Sequence, residues 1–509
     1  LVFTAHHSYR LGSGSADQNQ GDLESELMFS RVAARQTATL GRRCLEVSGR
    51  RRVQTLAPAT TTVLDGSRFG VGPFGVRDGG TVIGSVAEGW EDMRAAFERN
   101  FERNLELGAQ LAVYKNGHLV VDLHGYAATV EGYDGDTLQN IFSSGKNLEA
   151  ISIMMLADRG LLKYEDKVAD HWPAFAQHGK GDITVEDVLR HEAGLQFFAD
   201  PEAPNDLSKC RVPTVADVEA TASGAVEALI EGSAAWGHGR RMYHASTRGF
   251  VLGGLLRQIT GQTLGQFIAS EIATPLGVTV QCGATLEEQA RHRYAKMQKV
   301  GAGYTLMGEV LPAVFGFGGN AETVAVLKHV IGALLMDSKH PLRGYAKAMP
   351  AEWMKGGGDV HHVCTPEGRT LEVSSGSVQA NARSLAAIAG LMANGGELAG
   401  VRLASRATVD AAVSNTRARR DEAWAMDIAS TQGGFFDFGT LRQVPGGLAV
   451  DPEVMAAMEG FVGWAGKGGS LFLWNRERNI GFSYTMTGMM NGGHGGARTV
   501  PFFEVLRHA

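Results

Sequence analysis

Cysteine is scarce. Cys44, Cys210, Cys282 and Cys364 are the only four in 509 residues, far apart, with no CxxC pair and no histidine at zinc-finger spacing. Neither a disulfide framework nor a structural zinc site is therefore expected. Neither sign of charge dominates: 48 basic and 54 acidic residues, spread along the chain, leave a formal charge of −6. With no basic face to hold a phosphate backbone, no nucleic-acid partner is expected. No apolar run approaches the ~20 residues of a membrane helix, which argues against a membrane span. Proline is sparse at 14 against 67 glycines, and 44% of residues are hydrophobic. This is globular composition with some excess of glycine, and one large domain or two smaller ones would fit.

Position 1 is Leu and the first methionine is Met28. From there MFSRVAARQTATLGRRCLEVSGRRRVQTLAPATTTVL carries seven arginines and a single acid, Glu46. That is the Arg-rich, acid-poor composition of an organellar transit peptide, with residues 1–27 then upstream sequence or part of a fragment. A disordered basic tail is the alternative.

Order is expected to begin near AEGWEDMRAAFERNFERNLELG, where Trp90, Met93, Phe97, Phe101 and Leu105 recur at helical spacing. AQLAVYKNGHLVVDLHGY holds two β-rich runs joined by Asn116-Gly117, the strongest short hairpin signal. GGSLFLWNRERNIGFSYTMTGM at the far end reads as two more strands about a polar turn. Helical patterns dominate between them: ISIMMLADRG stops at Gly160, TVEDVLRHEAGL starts at a cap, Thr184, and Thr263 with Gln266 has capping-box spacing. The pattern predicts an α+β fold, an α/β sandwich. One antiparallel sheet is formed by N- and C-terminal strands and flanked by helices, with a mostly helical insertion to one side. Regions near 283–310 and 353–372 are expected to be long surface loops. In the second, His361, His362 and Cys364 of DVHHVC have the residue types of metal ligands, but such residues in a Gly-rich loop are more often surface, and no metal is expected.

The stretch IFSSGKNLEAISIMMLADRGLL, residues 141–162, reads as one long buried helix with a lysine near its start. Nowhere else does a serine stand three residues before a lysine, as Ser143 does before Lys146. Positions i and i+3 share a helix face, so Ser143 Oγ and the Lys146 amine are expected to meet. An apolar setting would pull the lysine down from its ordinary pKa of about 10.4, letting it take the serine proton and make a nucleophile. The positive end of the helix dipole at Ser143 would favour a developing oxyanion. The alternative is a solvated lysine in a helix that Ser143 merely caps. No G-x-S-x-G elbow occurs, which disfavours an α/β-hydrolase.

From about residue 87 onward the chain resembles the β-lactamase-related serine hydrolases, the superfamily of class C β-lactamases, family VIII carboxylesterases, D-amino-acid-specific peptidases and animal mitochondrial β-lactamase-like proteins. GAQLAVYKNGHLVVDLHGY is similar to that family's opening hairpin, IFSSGKNLEAISIMMLADRGLLKYEDKVADHWPAF to its nucleophile helix and following turn, and ITVEDVLRHEAGL to the segment usually written ITvrhLLtHtSGL. YHASTRGFVLGGLLRQITGQTLGQFIASEIATPLG and ANARSLAAIAGLMANGGELAGVRL follow in family order. The resemblance implies a β-lactamase/transpeptidase-like fold, with a catalytic domain over residues 86–509 and a helical subdomain at about 163–380. Residues 1–85 are then expected to be a disordered N-terminal extension with a possible transit peptide from Met28, whose composition would make the localisation mitochondrial, otherwise cytoplasmic.

The resemblance also implies roles by position. Ser143 matches the nucleophile and Lys146 its activating lysine. The family's Y-x-N motif falls on Tyr243-His244-Ala245, where a tyrosinate-like Tyr243 would share the proton with Lys146 and protonate the leaving group; a plain core aromatic is the alternative. A phenol of pKa about 10 can act as a base only beside a positive charge, which Lys146 supplies. Ala245 departs from the asparagine that binds a substrate amide, which weighs against lactams and peptides; His244 either donates in its place or packs aside. The third motif, K-T-G or H-x-G, aligns with Trp464-Ala465-Gly466, a W-x-G variant that leans towards esters. Lys467-Gly468-Gly469 is the alternative register. In the first register the backbone N–H groups of Ser143 and Lys467 form the oxyanion hole, while Gly466, Gly468 and Gly469 permit close approach of substrate or are plain turn glycines.

The implied activity is a serine hydrolase working through an acyl-enzyme on small or medium carboxylic esters, with amide or lactam hydrolysis second and no cofactor. A homo-oligomer is compatible with it. The rival is a non-catalytic assembly protein of the same fold, suggested by Ala245, Trp464 and the filament-forming habit of the mitochondrial relatives.

Overall fold

The computed structural model describes residues 54–509 apart from 68–71, 75–78, 207–208, 211–213, 220–223, 301–361, 425, 441–455 and 491–497. Ten strands form one antiparallel sheet: β1 (Thr60–Leu64), β2 (Gly80–Val86), β3 (Gly108–Lys115), β4 (His118–Ala127), β5 (Arg417–Asp421), β6 (Met426–Ser430), β7 (Phe436–Asp437), β8 (Phe461–Ala465), β9 (Leu471–Asn475) and β10 (Ile480–Met486). Their order across the sheet is β1-β2-β4-β3-β10-β9-β8-β7-β6-β5. The Asn116-Gly117 turn joins β3 to β4 with φ of 51° and 79°, both in the left-handed region that such a two-residue hairpin requires. At the centre β10 pairs with β3, from Ile480 opposite Lys115 to Met486 opposite Ala109. The sheet is thus closed by early and late parts of the chain, as the pattern predicts.

Six helices matter for the site: α1 (Glu91–Glu102), α2 (Lys146–Asp158), α3 (Val185–Leu189), α4 (Thr247–Thr260), α5 (Ala382–Ala393) and α6 (Val500–Arg507). Alternation along β10 assigns its two faces. Phe482 and Tyr484 meet Phe502 of α6 at ring separations of 6.3 and 5.4 Å. Gly481, on the opposite face, lies so close to α5 that a Cβ there would sit 2.1 Å from the Gly390 nitrogen. Helices therefore cover the sheet on both sides, and α2 is tied to it directly, Asn147 Nδ2 donating to the Phe472 carbonyl of β9 at 2.6 Å.

The structure corrects the sequence reading at several points. Residues 1–85 are not all an extension: β1 and most of β2 lie within that span, β1 pairing with β2 and β2 with β4. TTTVL and GTVIGSV are β-branched runs that fit a pleated sheet once paired with each other. Most of the stretch from Met28, read as a transit peptide, lies outside the described residues. The run 141–162 is not one helix but a 3₁₀ turn, Phe142–Gly145, followed by α2, with Gly160 at φ 68° past its end. The two expected loops contain short helices, Leu286–Gln289 and Pro366–Arg369. Cys364 is buried rather than at the surface, and burial pushes its thiol up to about 12; His361 lies outside the described residues. Among the described residues no group of three His, Cys, Asp or Glu is arranged to hold a metal, and no helix is long and apolar enough to cross a membrane.

Candidate active site

A short strand, Gln139–Asn140, delivers the chain to the site and pairs with Gln379–Ala380. Phe142 then adopts φ 45°, unusual for a bulky residue, and its N–H donates to Asn140 Oδ1 at 2.8 Å. This turn sends two neighbouring serines in opposite directions. Ser144 is buried and donates to the Trp464 carbonyl at 3.3 Å and the Ser470 carbonyl at 3.2 Å, so the turn is stitched to β8. Ser143 is half-buried, and its Oγ lies 2.6 Å from the Tyr243 hydroxyl.

Lys146 opens α2 and is wholly buried. Desolvation pulls its amine down to about 7, a pull that Arg248 reinforces and Glu149 opposes. The expected direct contact with Ser143 is not made: Lys146 Nζ donates instead to the Ala245 carbonyl at 2.5 Å and sits 4.9 Å from the centroid of the Tyr243 ring. The phenol occupies the serine hydroxyl, and the lysine turns to the nearest strong acceptor. Tyr243 also differs from the expected tyrosinate. Burial holds its phenol well above the ordinary range, outweighing the Ser143 hydrogen bond and Arg248, so the phenol keeps its proton at physiological pH.

The segment carrying Tyr243 is clamped by the end of α3. Thr184 caps that helix, accepting from the Asp187 N–H at 3.2 Å. Beyond it the Met242 N–H donates to the His191 carbonyl at 3.0 Å, and the His244 N–H to His191 Nδ1 at 2.9 Å. Arg241 and Glu192 form a buried ion pair at 2.6 Å beneath. His244 packs aside: its Nε2 accepts from the Leu195 N–H at 3.0 Å, its Nδ1 faces the Met242 carbonyl at 2.6 Å, and burial pulls it down to about 3. It does not replace the missing asparagine.

The third motif ends β8. Trp464 is buried, stacked 3.8 Å from Phe436, and its Nε1 donates to the Gly434 carbonyl at 2.9 Å. A Cβ on Gly466 would lie 2.1 Å from the Ile141 carbonyl oxygen, which shows how tightly this turn is pressed against the serine segment. Lys467 and Gly468 are the central residues of a turn closed by the Gly469 N–H on the Gly466 carbonyl at 3.0 Å, with φ of 89° and 114° at Gly468 and Gly469. The Lys467 side chain is exposed. Among the described residues the backbone N–H groups of Ser143 and Lys467 donate to nothing.

Several neighbours escaped the sequence reading. The half-buried Trp424 ring lies 4.6 Å from that of Tyr243. Asp421, pushed up to about 7 by burial, accepts from the N–H groups of Ala423 and Trp424 and holds this aromatic wall. Glu149 and Arg248 pair at 2.7 Å directly behind Lys146. A charge inside each of the apolar runs LEAISIMML and STRGFVLGGLL was the available signal.

A model of the family described as beta-lactamase matches residues 97–500. The esterase/beta-lactamase LipL of Mycobacterium tuberculosis is 29% identical over 345 residues, 67% of this chain and 71% of that protein. Among solved structures, a penicillin-binding protein homolog from Caulobacter crescentus superposes with a TM-score of 0.61 and 27% identity, covering 83% of this chain and 98% of its own. A family VIII carboxylesterase shares the fold, with a TM-score of 0.62, 24% identity and coverage of 84% and 99%. With the family match spanning strands β3 to β10, the Ser143 turn, Tyr243 and Trp464, the chain belongs to the beta-lactamase family.

Proposed function

We propose that this chain is a serine hydrolase that forms an acyl-enzyme on Ser143 and acts on small or medium carboxylic esters. The observation that carries it is the Ser143 hydroxyl at 2.6 Å from a buried neutral phenol, with a lysine held down to about 7 beside that phenol. In this reading Ser143 Oγ attacks the ester carbonyl carbon and its proton passes through the Tyr243 oxygen to the neutral Lys146 amine. The N–H groups of Ser143 and Lys467 hold the oxyanion, donors already oriented before charge develops. The carbon–alkoxide bond then breaks, and the alkoxide leaves with a proton returned through Tyr243. Water repeats the cycle in reverse and frees the acid.

Esters are favoured over lactams because Ala245 supplies no side-chain amide and Trp464 no cation to a substrate. The test is hydrolysis of p-nitrophenyl esters of graded chain length by purified protein. Ser143→Ala is expected to abolish it, and unchanged hydrolysis would overturn the reading. Amide or lactam hydrolysis by the same acyl-enzyme is the second reading, supported by the names of the LipL and penicillin-binding relatives. A chromogenic cephalosporin separates the two. A fluorophosphonate probe addresses the scaffold rival: label on the Ser143 peptide favours the enzyme, and an unlabelled protein favours the scaffold. A mitochondrial address belongs to the same reading, supported by the Arg-rich, acid-poor stretch from Met28. Residues 28–64 fused to a fluorescent reporter test it, and a diffuse cytosolic signal would sink it.

A further inference from the structure

We infer that Arg248 and Glu149 are positioning residues for the acyl transfer proposed above: a buried ion pair that holds the segments of the site in register and sets the charge on Lys146. The inference rests on that reading of Ser143. Neither residue belongs to the three motifs, and both side chains are fully buried.

The guanidinium reaches four segments. Nε donates to Glu149 Oε2 at 2.7 Å and Nη2 to the Lys146 carbonyl at 2.7 Å, both on α2. Nη1 donates to the Leu189 carbonyl at the end of α3 and to the Gly434 carbonyl before β7, each at 3.1 Å. Its central carbon stands 4.8 Å from the centroid of the Trp464 ring, and Trp464 bonds the same Gly434 carbonyl. Only a planar fork with five donors can serve all these acceptors at once. Glu149 is fixed in turn by Ser374, whose Oγ donates to Oε1 at 2.6 Å. The next residue, Gly249, has no room for a side chain, since a Cβ would lie 2.2 Å from Ser374 Oγ and 2.7 Å from Glu149 Oε1. A buried ion pair adds little net stability over apolar residues of the same volume, so stability alone does not account for one so fully tied.

Five ionisable side chains face Lys146. Glu149 comes from its own helix, Arg248 from α4, Tyr243 and His244 from the segment before α4, and His191 from the segment after α3; β8 presents Trp464, which does not titrate. Burial keeps both histidines and the phenol neutral. The charges that act on the amine are therefore one positive and one negative, and the balance between them decides the pH at which it can accept a proton.

The experiment is the pH profile of kcat/KM for p-nitrophenyl butyrate, with thermal unfolding alongside. Glu149→Gln keeps an acceptor for Arg248 and removes the negative charge. Its acidic limb is expected to move to lower pH by about one unit, the scale of one charge at a few ångström in a protein interior. Glu149→Asp is expected to keep the wild-type limb, and Glu149→Gln with Arg248→Met to return most of the way to it. A folded Glu149→Gln with an unmoved limb, or one moved to higher pH, overturns the inference. Should Glu149→Gln not fold, Arg248→Lys decides. It keeps the charge and loses the fork, so the limb should stay while kcat falls at least about tenfold, and an unchanged kcat overturns the positioning role. Failure of the underlying reading looks different: the wild-type protein would then show no hydrolysis that depends on Ser143.

Discussion

The Ser143 hydroxyl and the Tyr243 phenol share one hydrogen bond at 2.6 Å, while the Lys146 amine donates to the Ala245 carbonyl behind them. The serine thus bonds the tyrosine and not the lysine, whose amine stands 4.9 Å from the centre of the same tyrosine ring. The tyrosine is the element whose loss should interrupt proton transfer without disturbing the fold.

Tyr243→Phe keeps the ring that packs against Trp424 and His191, at 4.6 and 5.0 Å, and removes only the oxygen. The expected outcome is a loss of kcat of about 10²–10⁴, with little change in thermal midpoint, as for removal of a general acid–base group. Retained turnover on p-nitrophenyl esters would show that the lysine reaches the serine without it.

Lys146 must be uncharged to accept a proton, and its pKa is held at about 7. Activity should therefore fall as pH drops through about 7, with a single-proton limb. On the alkaline side Tyr243, held above its usual range by burial, should keep its proton beyond pH 10. An acidic limb near 4–5, the carboxylate range, would point to a different base.

The same lysine should destabilise the protein that uses it. Its pKa is about 7 folded and about 10.4 unfolded, so between these values the unfolded chain binds more protons and stability rises with pH. Below about 7 both states are protonated and the whole cost of burial remains. Lys146→Met is expected to abolish activity yet raise stability by roughly 2–4 kcal/mol at pH 7.5, with the gain shrinking towards pH 10. Denaturant titrations of both proteins at the two pH values measure it, and a less stable variant would contradict the buried-amine account.

Gly466→Ala would place a methyl group 2.1 Å from the Ile141 carbonyl and 2.3 Å from Ser470 Oγ. Either β8 or the serine turn must move, and the Lys467 N–H moves with it. Loss of about 10²–10³ in kcat is expected, comparable to removing one oxyanion donor. KM measured in parallel should change less than kcat.

Much of the frame was legible because it is written locally. The Asn116-Gly117 turn, the Thr184 cap and the Thr263–Gln266 capping box each depend on a few adjacent residues, and each forms as read. β1 was missed because its TTTVL acquires meaning only opposite GTVIGSV. At the site, the residue types came through and the wiring did not. Three-residue spacing places Ser143 and Lys146 on one face, but which acceptor the amine takes depends on Ala245, a hundred positions away. The neutral state of Tyr243 likewise follows from burial contributed by many segments, a quantity no short window contains.

Because Ile480 must lie against Lys115, the middle of the sheet cannot be zipped while most of the polypeptide is still to be made. The β3–β4 hairpin, complete by Ala127, must wait with one edge unpaired until Ile480–Met486 has been made, and such an edge readily recruits the wrong strand. Assembly should then be slow and governed by long-range closure.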